Sequence, residues 1–242
     1  MSGVRKFITA VTFPVVLPLS FMLCSPFAIV ASMITRSGTP SHRVARFWAS
    51  IVLWAAGVRV RTKILHDVPS SGPVIFACNH ASLIDIPVLY KALPLEFRFI
   101  VKKELFKIPL LGLAMKEAGY IPIDRAARGK AAFKSLKEAA NRIRNGASIV
   151  IFPEGTRTLD GKLQEFKEGG FMLAMMSGCP VVPVAIKGTF NIISKGSMLA
   201  SPGDVEVLLG EPIEISGTGR KPDRKEVAKL AHDRIQQMLE GN

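Results

Sequence analysis

Short apolar runs of strand length recur along the chain from residue 58 onward, and polar turns separate them. The runs at 74–78, 148–152 and 181–186 are almost entirely apolar, as expected for strands that are buried on both faces of a sheet. Segments with helical periodicity lie between them, for example at 128–146, where the apolar residues fall on one stripe. This alternation of strands and helices predicts an α/β fold with a mostly parallel or mixed central sheet flanked by helices.

The first 57 residues have a different pattern. No charged side chain occurs between Phe7 and Ile34, a stretch longer than the roughly 20 residues that a membrane-spanning helix needs. A second predicted helix, with Thr39 as its N-cap, is too short in its apolar part to span. The sequence is compatible with a secretory signal peptide, a spanning helix or a helical hairpin embedded in one leaflet. We therefore divide the chain into membrane-associated helices at 1–57 and a second domain at 58–242.

The chain has 242 residues, a formal net charge of +13 and a mean hydropathy of +0.29, which is high for a fully soluble protein. A strongly basic protein is expected to meet a polyanionic partner such as nucleic acid, an anionic membrane surface or a phosphorylated substrate. Up to Lys63 the charged side chains are all basic and flank the apolar segments. The sequence lacks the aromatic interleaving of nucleic-acid-binding modules. The charge therefore favours a membrane surface or a phosphorylated substrate over nucleic acid.

Between residues 74 and 90 an apolar strand runs directly into a polar group that includes His80 and Asp85. Five residues along one helix correspond to a rotation of about 500°, so the two side chains would not share a helix face. If His80 lies in the turn before a helix and Asp85 in its first turn, the carboxylate can reach back and orient the imidazole as a base. An alternative stays open, because Ser82 and Asp85 also fit a capping box in which the carboxylate only caps the helix.

Two further polar clusters follow predicted strands. One ends in Arg125, and the other, after the strand at 148–152, contains Glu154, Gly155 and Arg157. An arginine fork suits bidentate recognition of phosphate. Because ligands bind beyond the carboxyl ends of parallel strands, the three clusters are expected to meet at one edge of the sheet. Taken singly, each cluster is also compatible with an ordinary charged turn.

Taken in order, these blocks give the chain a resemblance to the glycerolipid acyltransferase family. The segments NHASLID, GYIPIDR, FPEGTR and VVPVAI match four motifs of that family in the same order and at similar spacing. Within the family, the chain resembles the bacterial 1-acyl-glycerol-3-phosphate acyltransferases, and the matching part covers about 58–188. Thr158 departs from the pattern, because many members have serine there.

The resemblance implies a role for each matching residue. His80 would be the general base that takes the proton from the sn-2 hydroxyl of lysophosphatidic acid, and Asp85 would orient it. The residues that would hold the glycerol phosphate are Arg125, Glu154, Gly155 and Arg157, with Lys103 as a further candidate. The acyl donor would be acyl-CoA or acyl carrier protein, and neither a metal nor another cofactor is expected.

The resemblance also implies where the protein works. Its expected partners are membrane lipids, lysophosphatidic acid and the acyl donor, at the cell (inner) membrane with the active site facing the cytoplasm. The predicted helix at 104–118, which includes Leu105 and Leu113, is expected either to line a tunnel for the acyl chain or to pack in the core. Alternative functions are acylation of glycerol-3-phosphate or another lysolipid, and non-catalytic lipid binding on the same fold.

Overall fold

The computed structural model describes residues 3–69, 72–124, 129–197, 199–216 and 222–241. The strands are β1 (Val58–Ile64), β2 (Ile75–Cys78), β3 (Phe97–Lys102), β4 (Ile121–Ile123), β5 (Ser148–Ile151), β6 (Val181–Lys187) and β7 (Gly203–Leu209). The α-helices are α1 (Gly3–Thr35), α2 (Thr39–Ala55), α3 (Asp85–Ala92), α4 (Leu111–Glu117), α5 (Gly129–Arg144), α6 (Phe171–Ser177), α7 (Thr189–Ile192) and α8 (Arg224–Glu240). A 3₁₀ helix covers Lys103–Lys107.

Across the described ranges, seven strands form one sheet in the order β1-β7-β6-β2-β5-β3-β4. Strands β2 to β6 run parallel to one another, whereas β7 is antiparallel to β6 and parallel to β1. The central strands are the continuous apolar runs of the sequence, and helices cover both of their faces. The predicted α/β fold with a mixed central sheet is therefore confirmed.

The sheet separates two hydrophobic cores. On one face, Phe76 of β2 belongs to a core that includes Leu53 of α2 and Leu89 of α3. On the other face, the neighbouring Ile75 belongs to a core formed with α5, α6 and α8, which includes Ile143. Because successive strand residues point to opposite faces, β2 must be apolar at every position. Helix α2 shares a core with the sheet, and the proposed division of the chain after residue 57 stays a prediction.

Helix α1 packs along α2 and against α4, and it leaves an apolar stripe exposed. The exposed apolar residues of this stripe recur at helical spacing: Val4, Ile8, Val11, Val15, Leu19, Met22, Val30 and Met33. Within the described part of the chain, α1 is the one helix that is long and apolar enough to cross a membrane, judged by length and composition. The stripe is compatible with a helix that lies in one leaflet and with one that spans.

Two predictions about helices are wrong, and local chemistry explains both. The segment at 104–118 is not one helix but the 3₁₀ helix followed by α4. Pro109 cannot continue the helical hydrogen bonds, and Leu110 adopts a left-handed φ of 57°. Thr39 is the first residue of α2 rather than its N-cap, and its hydroxyl donates to a carboxylate oxygen of Glu96 at 3.1 Å.

The buried histidine of α2 is expected to make the protein less stable in mild acid. His42 packs between the rings of Tyr90 and Phe97, and burial together with the nearby Arg98 guanidinium lowers its pKa from 6.5 to about 4. In the unfolded chain the imidazole takes up a proton near pH 6.5. Stability is therefore lost as the pH falls from about 6.5 toward 4, by about 2 kcal/mol at pH 5.

This expectation can be checked by denaturant unfolding of the detergent-solubilised protein at pH 7 and pH 5. The variant His42→Phe keeps an aromatic ring in the core but cannot titrate, so it should lose less stability between the two pH values than the wild type. Equal losses in the two proteins would show that His42 does not cause the acid sensitivity.

Candidate active site

The loops that carry the polar motifs leave the sheet at the same edge. Strands β2, β5, β3 and β4 are neighbours in that order and run parallel, so their carboxyl ends point the same way. The loops after β2 and β5 begin side by side, and the loop after β4 begins two strands away. Of the residues predicted for this edge, Arg125 lies outside the described residues.

His80 and Asp85 are in direct contact. Nδ1 of the imidazole lies 2.8 Å from Oδ2 of the carboxylate, so the carboxylate does reach back from the first residue of α3. The same oxygen accepts the backbone N–H groups of Ala81 at 2.8 Å and Ser82 at 2.9 Å. Asp85 is fully buried, and these hydrogen bonds fix the position of its carboxylate. A carboxylate held in this way keeps the imidazole in one orientation.

The imidazole of His80 is accessible at the sheet edge. Its side chain is 17% exposed and stacks on the ring of Phe152, with centroids 4.0 Å apart and planes inclined by 18°. When Nδ1 donates its proton to Asp85, the nitrogen that can accept a proton is Nε2. The pair can therefore act as a general base toward a hydroxyl group that approaches the ring.

Two residues next to His80 bond to the backbone of distant segments. The side chain of Asn79 accepts the N–H of Ile186 at 2.7 Å and donates to its carbonyl at 3.0 Å, which extends the pairing of β2 with β6. The hydroxyl of Ser82 donates to the carbonyl of Ile193 at 2.6 Å. Only half of the capping box forms, because Asp85 accepts the N–H of Ser82 while the serine hydroxyl oxygen accepts the N–H of Ile84, at 3.3 Å, and not that of Asp85.

Glu154 lies directly against the histidine loop and is 3% exposed. One carboxylate oxygen accepts the backbone N–H of His80 at 2.5 Å. The other accepts the backbone and side-chain N–H groups of Gln164, each at 3.1 Å. Burial raises the pKa of Glu154, and the N–H donors of these two residues and the imidazole oppose that increase. The contacts of this carboxylate are therefore made with the protein itself.

The rest of the third motif forms a tight loop. Gly155 has a φ of +77°, which a residue with a side chain rarely adopts. Arg157 is half-buried, and its Nη1 is buried without a hydrogen-bond partner among the described residues. Lys195, from the segment after α7, donates to the carbonyl of Arg157 at 3.0 Å and to the hydroxyl of Thr156 at 3.1 Å. This lysine links the loop of the third motif to the segment that follows α7.

A cavity of about 330 Å³ opens between α5, α6 and the ends of β3, β4 and β5. Its lining is mainly apolar and includes Gly155 and the charged side chains of Asp124 and Lys167. A Cβ atom on Gly155 would lie only 3.0 Å from Nζ of Lys167, so the ammonium group sits over this glycine. Phe152 lines the cavity and also stacks on His80, so the cavity and the imidazole are adjacent.

Lys103 reaches the same cavity indirectly, because its ammonium group pairs with the carboxylate of Asp124. Leu105 and Leu113, which the sequence suggested for a tunnel or the core, are 38% and 46% exposed. They do not belong to the core, and a tunnel wall stays a prediction. Arg157 is not among the described residues that line the cavity.

A second cavity, of about 410 Å³, lies between β1, β7 and α8, toward the β1 edge of the sheet. Its charged residues pair with one another: Lys63 with Glu206 and Arg234 with Glu211. Within the described part of the chain, no residue of the four motifs borders it, although Lys187, which directly follows VVPVAI, does. The first cavity is therefore the one associated with the motif residues.

Sequence reasoning did not identify several residues around the site. No individual role was predicted for Asn79, Gln164, Lys167 or Lys195. Their positions depend on contacts between distant parts of the sequence, for example the contact of Asn79 with Ile186, which lies 107 positions further along the chain. A weak signal was available for Gln164 and Lys167, because both follow closely after the FPEGTR motif.

Comparisons with known proteins agree with this geometry. A family model described as Acyltransferase matches residues 59–187. The chain is 37% identical over 174 residues to the 1-acyl-sn-glycerol-3-phosphate acyltransferase BAT2, chloroplastic, of Brassica napus, with 71% of this chain and 50% of that protein covered. It is 29% identical over 212 residues to the 1-acyl-sn-glycerol-3-phosphate acyltransferase alpha of Ovis aries, with 88% and 72% covered.

A solved structure is similar over almost the whole chain. The 1-acyl-sn-glycerophosphate (LPA) acyltransferase PlsC from Thermotoga maritima superimposes with a TM-score of 0.83 at 26% identity, covering 99% of this chain and 97% of that one. By contrast, the chain spans about half the length of the curated plant relatives that it matches.

Proposed function

Because the chain belongs to the acyltransferase family, we propose that it transfers a fatty acyl group from a thioester to the sn-2 hydroxyl of 1-acyl-glycerol-3-phosphate, giving phosphatidic acid. The observation that carries this proposal is the 2.8 Å contact between His80 and Asp85 at the carboxyl edge of the sheet, beside a cavity that Lys167 lines. The acceptor is supported by the names of the similar proteins, both in the sequence comparison and in the structural one.

In the proposed reaction, Nε2 of His80 takes the proton of the acceptor hydroxyl. The hydroxyl oxygen attacks the carbonyl carbon of the thioester, a C–O bond forms, and the carbonyl oxygen becomes an oxyanion. When this intermediate collapses, the C–S bond breaks and the imidazolium returns its proton to the leaving sulfur. The products are an ester and a free thiol, so the imidazole is regenerated without a metal or a redox cofactor.

Asp85 would support this cycle through charge and geometry. Its buried carboxylate accepts a hydrogen bond from the Nδ1–H group, so it keeps Nε2 unprotonated before the attack and stabilises the imidazolium afterwards. Phe152 stacks on the ring and limits its rotation. The base is therefore pre-oriented before the substrate arrives, which is the condition for efficient proton transfer.

We place the acceptor phosphate in the 330 Å³ cavity, beside Lys167. The absence of a side chain at Gly155 lets Lys167 lie against the loop backbone, which brings its ammonium group to this cavity. Arg157 and Arg125 remain proposed phosphate ligands from their motif positions. Arg157 has a buried Nη1 without a hydrogen-bond partner among the described residues, but it would have to turn toward the cavity, which it does not line. Lys103 would contribute to phosphate binding in one of two ways: it holds Asp124 in place through their ion pair, or its ammonium group leaves Asp124 and binds the phosphate.

Removal of the lysine at this cavity is expected to weaken the binding of a phosphate acceptor selectively. A hydrogen bond to a charged group contributes about 1.5–3 kcal/mol, so Lys167→Ala should raise the KM for 1-acyl-glycerol-3-phosphate by about tenfold or more. The KM for the acyl donor should stay unchanged. Steady-state kinetics with each substrate varied in turn measures both values.

The control for Lys167→Ala is Lys225→Ala, which removes the same charge from the exposed start of α8. If the two variants show the same acceptor KM, the lysine does not contact the phosphate. A rise in the donor KM alone would assign Lys167 to the donor instead.

The apolar stripe of α1 supports binding to a membrane, with the helices α1 and α2 embedded in one leaflet. Both acceptor and product are lipids and could then move laterally to and from the site. Arg36 and Arg43, which follow and flank the stripe, would bind anionic head groups. By analogy with bacterial members, we propose the cell membrane, with the site facing the cytoplasm and acyl-CoA or acyl carrier protein arriving from that side.

The experiment that tests the proposed function is an assay of the purified protein with several acceptors and both kinds of donor, read by the mass of the product lipid. The acceptors are 1-acyl-glycerol-3-phosphate, glycerol-3-phosphate and a lysophospholipid with a larger head group. We expect phosphatidic acid from the first acceptor in clear preference to the others. Preference for another acceptor would show that the proposed acceptor is wrong. Binding of the acceptor without thiol release would favour a lipid-binding protein.

A further inference from the structure

One loop holds the backbone of His80 from both sides. The N–H of His80 donates to Glu154 at 2.5 Å, and the carbonyl of His80 accepts the N–H of Thr158 at 3.0 Å. We infer that Glu154 is a positioning residue, which fixes the catalytic histidine through its peptide group with the help of Gln164, and that it does not bind the acceptor. This inference rests on the proposed function, because it assigns the carboxylate a task in the same site.

The hydrogen bonds of Glu154 account for both of its oxygens. Oε1 is used by His80, and Oε2 accepts the two N–H groups of Gln164. The side-chain amide of Gln164 also donates to the carbonyl of Thr156 at 3.3 Å. The carboxylate is thus enclosed by its own loop and is 3% exposed. A phosphate could reach it only by displacing these donors, and the two negative charges would repel each other.

His80 is consequently held by two buried carboxylates with different tasks. Asp85 holds the imidazole ring at Nδ1, and Glu154 holds the peptide N–H of the same residue. Since Glu154 follows Phe152 by two residues, the loop that anchors the histidine backbone also supplies the ring that stacks on it. Small displacements of a catalytic group are costly, because proton transfer requires a defined distance and direction.

The variant Glu154→Gln separates positioning from substrate binding. The amide has nearly the same size, but its NH₂ group must face either the N–H of His80 or the N–H groups of Gln164, and neither can accept a hydrogen bond. We expect kcat to fall by about 10²-fold, as for a catalytic group displaced by about 1 Å. The KM values for acceptor and donor should both stay within about threefold, because binding contacts are retained.

The matched control is Glu165→Gln, which makes the same chemical change at an exposed position of the same segment. It should retain the wild-type kcat. If the wild-type protein transfers no acyl group to any acceptor, the proposed function fails. If the wild type is active and Glu154→Gln keeps its kcat, or mainly raises the acceptor KM, positioning by Glu154 is overturned.

A second variant decides the question if Glu154→Gln does not fold. Gln164→Ala removes the side-chain amide but keeps the backbone N–H that binds Oε2, so the fold should survive. It is expected to lower kcat about tenfold with unchanged KM values, since part of the support for Glu154 is lost. An unchanged kcat in this variant, or a rise confined to the acceptor KM, would also contradict the inference.

Discussion

The variant His80→Ala is expected to lower kcat for acyl transfer by about 10²- to 10⁴-fold, the range that general base catalysis contributes. The imidazole at the sheet edge is partly exposed and has a buried carboxylate partner. Without it, the acceptor hydroxyl has to attack the thioester while still carrying its proton. The KM for the acceptor should change little, because the proposed phosphate contacts lie at the cavity and not on the imidazole.

Thiol release from the acyl donor, followed continuously with 1-acyl-glycerol-3-phosphate as acceptor, measures this effect. The control is His66→Ala, which removes an exposed histidine that borders the other cavity. It should keep the wild-type rate. Retention of most of the activity in His80→Ala, with the control equally active, would remove the proposed base from the mechanism.

The second large effect is expected for Asp85→Asn. The amide retains the size of the carboxylate but carries no charge, so it stabilises the imidazolium of His80 far less. We expect kcat to fall by about 10²-fold or more, because the base is then less able to hold the proton that it takes from the hydroxyl. Asp85 is fully buried, and its Oδ1 has no hydrogen-bond partner in the described structure. An NH₂ group at that position in the variant would therefore be a buried donor without an acceptor.

This variant should also be less stable, by about 1–3 kcal/mol, which is the cost of one buried donor without a partner. Kinetics and denaturant unfolding of the same preparation separate the two effects. A stability loss with an unchanged kcat would mean that Asp85 only caps and braces α3. A kcat loss in a protein that still unfolds cooperatively supports the role in orienting the base.

Much of the fold follows from the apolar pattern. The segments at 74–78 and 148–152 were predicted as strands and contain β2 and β5, and the amphipathic run at 128–146 contains α5. Periodicity did not predict the break after the 3₁₀ helix. There, Pro109 and the left-handed Leu110 override a pattern that looks continuously helical. Conformation at such points is set by single residues, which an average over a window conceals.

The candidate site was predicted less completely than the fold. The contact between His80 and Asp85 could be anticipated, because both lie within one turn and the start of one helix. The contact between His80 and Glu154 could not, because 74 residues separate them and only the pairing of β2 with β5 brings them together. Lys167 was missed for the same reason. Contacts across the sheet depend on strand order, and one sequence does not reveal it.

The most direct test of the central claim is the position of the transferred chain in the product. Purified wild-type protein and His80→Ala are each given 1-acyl-glycerol-3-phosphate and an isotopically labelled acyl thioester, and the lipid formed is analysed by mass spectrometry. The account predicts phosphatidic acid with the label confined to position 2, formed together with an equal amount of thiol by the wild type and barely formed by the variant. A labelled lipid of another kind, or equal amounts of labelled phosphatidic acid from both proteins, would contradict it.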